Sequence, residues 1–132
     1  MGLFINQTDF KEYLLHQYPE LDYDASRVLV AISTVKANPI INCLYVTDNF
    51  FFAARYHSAM AFFSDGLSLK QTEIVKMYLI DKWLSTNLVI ETNIMLKTGD
   101  KLVLKMNLPK LNRTPWHVHN LKLLRQRLPL QK

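Results

Sequence analysis

Two arms, Leu88 to Lys97 and Lys101 to Leu108, flank Thr98-Gly99-Asp100 and alternate in period two. In the second arm Leu102, Leu104 and Met106 interleave with Lys101, Val103 and Lys105. In the first, Ile90, Thr92, Ile94 and Leu96 interleave with Val89, Glu91, Asn93 and Met95. Alternation on both sides of a Gly-Asp turn is a hairpin signature. A lone two-stranded hairpin is marginal in water, so the rest of the chain has to supply a layer for it to pack on.

Helices are the expected source of that layer. Thr8-Asp9 opens a helix in which Phe10, Tyr13, Leu14 and Gln17 recur at helical spacing, and Pro19 stops it near Tyr18. Asp24 caps a second run over Ala25 to Ala37, with Val28, Ala31, Ile32 and Val35 as its apolar stripe. The same run is rich in β-branched residues, which leaves a strand from Arg27 to Thr34 open. From Ile40 to Phe63 two readings compete. One is a helix after Thr47 or Asp48, striped by Phe52, Tyr56, Ala59, Met60 and Phe63. The other is an Asp48-Asn49 turn between strands Ile40–Val46 and Phe50–Tyr56. The alanines favour helix, closed by Ser64-Asp65-Gly66. Ser68 caps the strongest helix, to Ser85, with Ile74, Met77, Tyr78, Trp83 and Leu84 on its buried side. After the hairpin, Thr114-Pro115 begins a last helix, apolar at Val118, Leu121, Leu124 and Leu128 and basic elsewhere. The expected fold class is therefore α+β and mainly helical, with four or five helices, one β-hairpin in the C-terminal half and a closing basic helix.

The 132 residues suit a single domain, 1–132, and 49% apolar content is enough for a core. No apolar window reaches the roughly 20 residues that span a bilayer, and no signal peptide is visible. The chain is expected to be cytoplasmic, without a membrane partner. Cys43, the only cysteine, lies in an apolar segment and reads as a small buried hydrophobe.

Catalytic and cofactor motifs do not occur. The chain has no phosphate-binding glycine loop, no nucleophile elbow, no HExxH and no CxxC. Its three glycines are too few to cradle a phosphate. His117 and His119 have the only metal-like spacing, but on a helix residues two apart diverge by about 200°. No enzyme, cofactor or metal is expected.

Charge is the more informative feature. The net charge is +5, yet Lys97 to Lys132 holds nine cations against Asp100 alone, so the first 96 residues are net negative. Segregation of this kind marks nucleic-acid binders, although a solvated cationic face gives the same count. The order of the Ser68–Ser85 helix and the hairpin with Lys at its tip resembles the winged helix. That resemblance implies a recognition helix presenting Lys70, Gln71 and Lys76 and a wing presenting Lys97, Thr98 and Lys101. Gln would read a base edge and Lys would hold phosphates. Lys105, Arg113, Lys122, Arg125 and Arg127 complete the expected contact set.

The leading expectation is a non-enzymatic accessory or regulatory protein that binds nucleic acid, DNA before RNA, through this basic third. The alternative is a protein-interaction module (adaptor, inhibitor or assembly subunit) for an acidic partner, motivated by the aromatic run Phe50-Phe51-Phe52 with Tyr56. Homodimerisation is compatible with either.

Overall fold

Over residues 28–35, 40–46 and 50–56, apolar side chains fall on both faces of an extended backbone, and the chain forms sheet. A computed structural model describes residues 6–35, 38–57, 62–110 and 114–131. Strands make up more than half of the described residues, among which two α-helices are present.

Helix α1 (Gln7–Gln17) is capped by Asn6, whose side chain accepts from the Thr8 N–H at 2.8 Å. It ends where the Tyr18 N–H bonds the Leu14 carbonyl, just before Pro19. A 3-10 turn, Ala25–Arg27, leads into strands β1 (Val28–Val35), β2 (Asn38–Val46), β3 (Phe50–His57) and β4 (Phe62–Lys70). These form an antiparallel meander in the order β1-β2-β3-β4. A second 3-10 turn, Gln71–Glu73, precedes β5 (Ile74–Asp81), β6 (Ser85–Met95) and β7 (Lys101–Pro109), also antiparallel. Helix α2 (Pro115–Arg127) follows, with proline at its first turn. The short strand β8 (Leu130–Gln131) then pairs in parallel with the free edge of β5.

The first sheet is buried on both sides. Phe10 and Leu14 of α1 pack on Val28, Val30, Cys43, Phe52, Ala54 and Phe63. On its other face Leu29, Leu44, Val46, Phe51 and Leu69 meet Leu79, Leu88, Ile90 and Leu108 of the second sheet, with Leu121 and Leu124 of α2 closing the same core. The second sheet thus has an inner face turned to the core and an outer face that neither α1 nor α2 covers.

This architecture corrects the mainly helical expectation. The predicted helix Ala25–Ala37 is one 3-10 turn followed by β1; residues 36–37 lie outside the described residues. The Asp48-Asn49 turn between two strands is what forms, in place of a helix to Phe63. Ser64-Asp65-Gly66, expected as a terminator, runs inside β4. The Ser68–Ser85 helix is replaced by the end of β4, the second 3-10 turn, β5 and the turn into β6. With no helix ahead of the hairpin, the winged-helix order falls. The first and last helices and the hairpin arms stand as expected.

The false helices over β1 and over β2–β3 share one physical cause. Strands buried on both faces carry apolar residues continuously, so period-two alternation disappears and helical stripes arise by coincidence. In β5 a bulge between Ile74 and Lys76 also shifts the phase of the pattern.

Candidate nucleic-acid interface

Register defines the outer face of the second sheet. Leu79, Leu88, Leu104 and Leu108 point to the core side, so Tyr78 on β5, Val89 on β6 and Lys105 on β7 lie in one row on the outside. The next row holds Lys76, Glu91 and Val103. Towards the other end lie Ile80, Asn87 and Asn107. The Lys82 N–H donates to the Ser85 carbonyl at 2.8 Å, which extends the pairing by one step and places Lys82 on this face too. Lys101 ends the β7 row beside Met95.

The face therefore has lysines on both flanking strands, about 10 Å apart across β6. Lys76 on β5 and Lys82 just past its end are separated by about 20 Å. Glu91 is the acid between them. Lys76, Lys82, Lys101 and Lys105 take part in no ion pair among the described residues. The Lys76 ammonium sits 5.0 Å from the centroid of the Tyr78 ring, a cation–π contact. Unpaired cations beside a half-exposed aromatic suit phosphates next to a base or sugar.

The expected contact set divides in two. Lys76, Lys101 and Lys105 share the outer face, with Lys97 and Thr98 in the β6–β7 turn beyond it. Lys70 and Gln71 lie where the chain enters this sheet, and the Asn93 amide donates to the neighbouring Thr72 carbonyl at 2.7 Å. Helix α2 lies on the opposite, inner side. Its Arg125 bonds the Asp81 carboxylate at 2.9 Å, and Arg127 donates to the Ser26 hydroxyl at 3.2 Å. Lys122 is exposed on the same helix. These three do not join the outer face, so the basic third of the sequence is not one surface. Arg113 lies outside the described residues.

Asp81 accounts for part of the segregated charge. Lys110 reaches it at 3.0 Å, and the Thr86 hydroxyl donates to it at 3.0 Å. The Lys110 ammonium, with help from Thr86 and Arg125, holds its carboxyl below the usual carboxylate range.

Sequence reasoning missed Lys82 and Trp83, which it had placed within a helix, Trp83 on its buried side. Trp83 and Leu84 form the β5–β6 turn and are 89% and 61% exposed. The signal available was local: Asp81-Lys82 and Ser85-Thr86 are polar pairs bracketing an apolar dipeptide between two apolar runs.

Other candidates have structural explanations. His117 is fully buried: its Nδ1 accepts from the Val30 N–H and its Nε2–H donates to the Pro109 carbonyl, both at 2.9 Å. His119 is exposed, so the pair does not converge, and no metal-competent cluster occurs among the described residues. Cys43 is fully buried, and burial pushes its thiol well above the ordinary range. Phe51 and Phe52 belong to the core, while Phe50 and Tyr56 pack against the α1 side, so the aromatic run is not an open surface. A hollow of about 410 Å³ lies beside Tyr18, Leu21 and Phe50, and Glu20 is the acid in its lining. No helix among the described residues is long and apolar enough to cross a membrane.

No protein family, curated protein or solved structure matches this chain.

Proposed function

We propose that the protein is a non-enzymatic binding module that holds nucleic acid, as an accessory or regulatory component, on the outer face of its second sheet. The observation that carries this reading is the uncovered face itself. Three unpaired lysines on its flanking strands, with Lys82 just past the end of β5, surround the partly exposed Tyr78 and Ile80 and the exposed Val103. Cations held on the strands supply sequence-independent attraction to phosphates, and the Tyr78 ring and the exposed Val103 supply contact for sugar and base. The α2 cations add to net charge and to core closure, and they are not part of this surface.

Fluorescence anisotropy of labelled oligonucleotides tests the placement. The double variant Lys76→Glu/Lys105→Glu is expected to weaken binding by about tenfold or more at low salt. Lys122→Glu/Arg127→Glu makes the same change in net charge on the other side and is expected to leave affinity within about twofold, because screening confines surface charges to roughly 10 Å. Equal losses in both variants would show attraction by net charge alone and defeat the assignment.

A further inference from the structure

We infer that the nucleic acid taken by this face is single-stranded and that Trp83 is the platform on which one of its bases stacks. The inference rests on the binding reading above and deepens it. Three observations carry it: the exposure of Trp83, the bracing of its turn, and the breadth of the sheet that bears the lysines.

Trp83 is 89% exposed, and Leu84 beside it is 61% exposed. Large apolar side chains left bare on a small domain mark contact sites. The turn that carries them is fixed on several sides. The Lys82 N–H closes it on the Ser85 carbonyl at 2.8 Å, and the Lys110 N–H reaches in from the end of β7 to the Leu84 carbonyl at 3.0 Å. On the inner side Asp81 is held by Lys110 and Arg125. The backbone is thus anchored while the indole stays in solvent, an arrangement that lowers the ordering cost of a contact made there.

The surroundings choose the partner. Lys82 adjoins Trp83 on the outer-face side, and the cationic rows run back along the sheet for about 20 Å rather than ringing the turn. A sheet four strands wide presents neither the α-helix nor the two-stranded ribbon that a duplex major groove admits. The π faces of duplex bases are also stacked on each other and closed to an indole. A single strand can lie along the lysines and offer a base to Trp83, and stacking of this kind tolerates any base.

Intrinsic fluorescence of the full-length Trp116→Phe variant, which leaves Trp83 as the reporter, provides the test. The probes are a 12-nucleotide oligo-dT strand, a blunt duplex of the same length, and vesicles of mixed neutral and anionic phospholipid. The strand is expected to quench Trp83 and to bind more tightly than the duplex. Read by the anisotropy of a labelled strand, since the substitution removes the tryptophan reporter, Trp83→Ala should weaken strand binding by about 5- to 150-fold, whereas Trp83→Phe should retain most of it. Thermal melting of each variant reports folding separately. Equal affinity for strand and duplex, with Trp83→Ala unchanged, overturns this inference and leaves the nucleic-acid reading standing. Binding of neither oligonucleotide overturns both. A blue shift on the vesicles without quenching by the strand also overturns both and assigns the turn to a lipid surface.

Discussion

His117 shows what a single buried titratable side chain contributes here. It joins the first turn of α2 to β1 and to the end of β7, accepting at Nδ1 from Val30 and donating at Nε2 to Pro109. That pairing requires the neutral ring with its proton on Nε2. Burial pushes its pKa below the ordinary 6.5, against a smaller opposing effect of the Pro109 carbonyl. The unfolded chain then binds the proton more readily than the folded one. Its contribution to stability is present above about pH 6.5 and is lost as pH falls through that value towards the folded pKa. Urea midpoints should therefore drop between pH 7.5 and pH 5.5. In His117→Gln, whose amide can both accept and donate, the drop should be smaller; an identical pH profile would remove His117 as its source. Gly99 makes a purely conformational contribution. It turns the β6–β7 hairpin at φ +91°, and a Cβ there would meet no atom within 4 Å. Gly99→Val is consequently expected to cost about 1–3 kcal/mol through backbone strain alone. Gly99→Asn is expected to cost less, both read from urea melts.

Among the elements, α1 is the one whose removal would bare the most aromatic surface. Phe10 is fully buried, with ring centroids 6.1 Å from Phe52 and 5.4 Å from Phe63. Phe10→Ala is expected to destabilise the protein by about 3–5 kcal/mol, measured by urea unfolding. A loss under about 1 kcal/mol would mean that α1 is a detachable cover. Helix α1 was legible in the sequence because one of its faces is wet, which keeps Phe10 and Leu14 at helical spacing against polar neighbours. The β6–β7 arms were legible for the same reason: Lys101, Val103 and Lys105 face water while Leu102, Leu104 and Met106 face the core. In β1 to β3, alternate residues such as Leu29 and Val30 are both buried, one against the second sheet and the other against α1. Alternation needs a solvent face to be visible, and these strands have none. Lys76, Lys101 and Lys105 of the candidate site were legible one by one, and Lys82 was not. Their grouping was not legible either, because it depends on cross-strand register.

At the scale of the molecule, the sequence and the fold imply different numbers of phosphate contacts, and salt dependence separates them. The C-terminal third carries a local charge of +8 in sequence. If all of it acted together on a single strand, log K would fall with log salt at a slope of about −5 to −6. The fold removes four of the nine cations: Lys110 and Arg125 are committed to Asp81, and Lys122 and Arg127 sit on α2, away from the outer face. It adds Lys76 and Lys82 from the other part of the chain. With Lys76, Lys82, Lys101 and Lys105 as the contacts, the expected slope is about −3 at roughly 0.7 per phosphate neutralised. Anisotropy titrations of the oligo-dT strand at several salt concentrations from 50 to 200 mM measure it directly. Each Lys→Gln substitution on the sheet should make the slope shallower by about 0.7, while Lys122→Gln should leave it unchanged. A slope near −5 that responds equally to α2 and sheet variants would mean that diffuse charge, and not the ordered face, holds the strand.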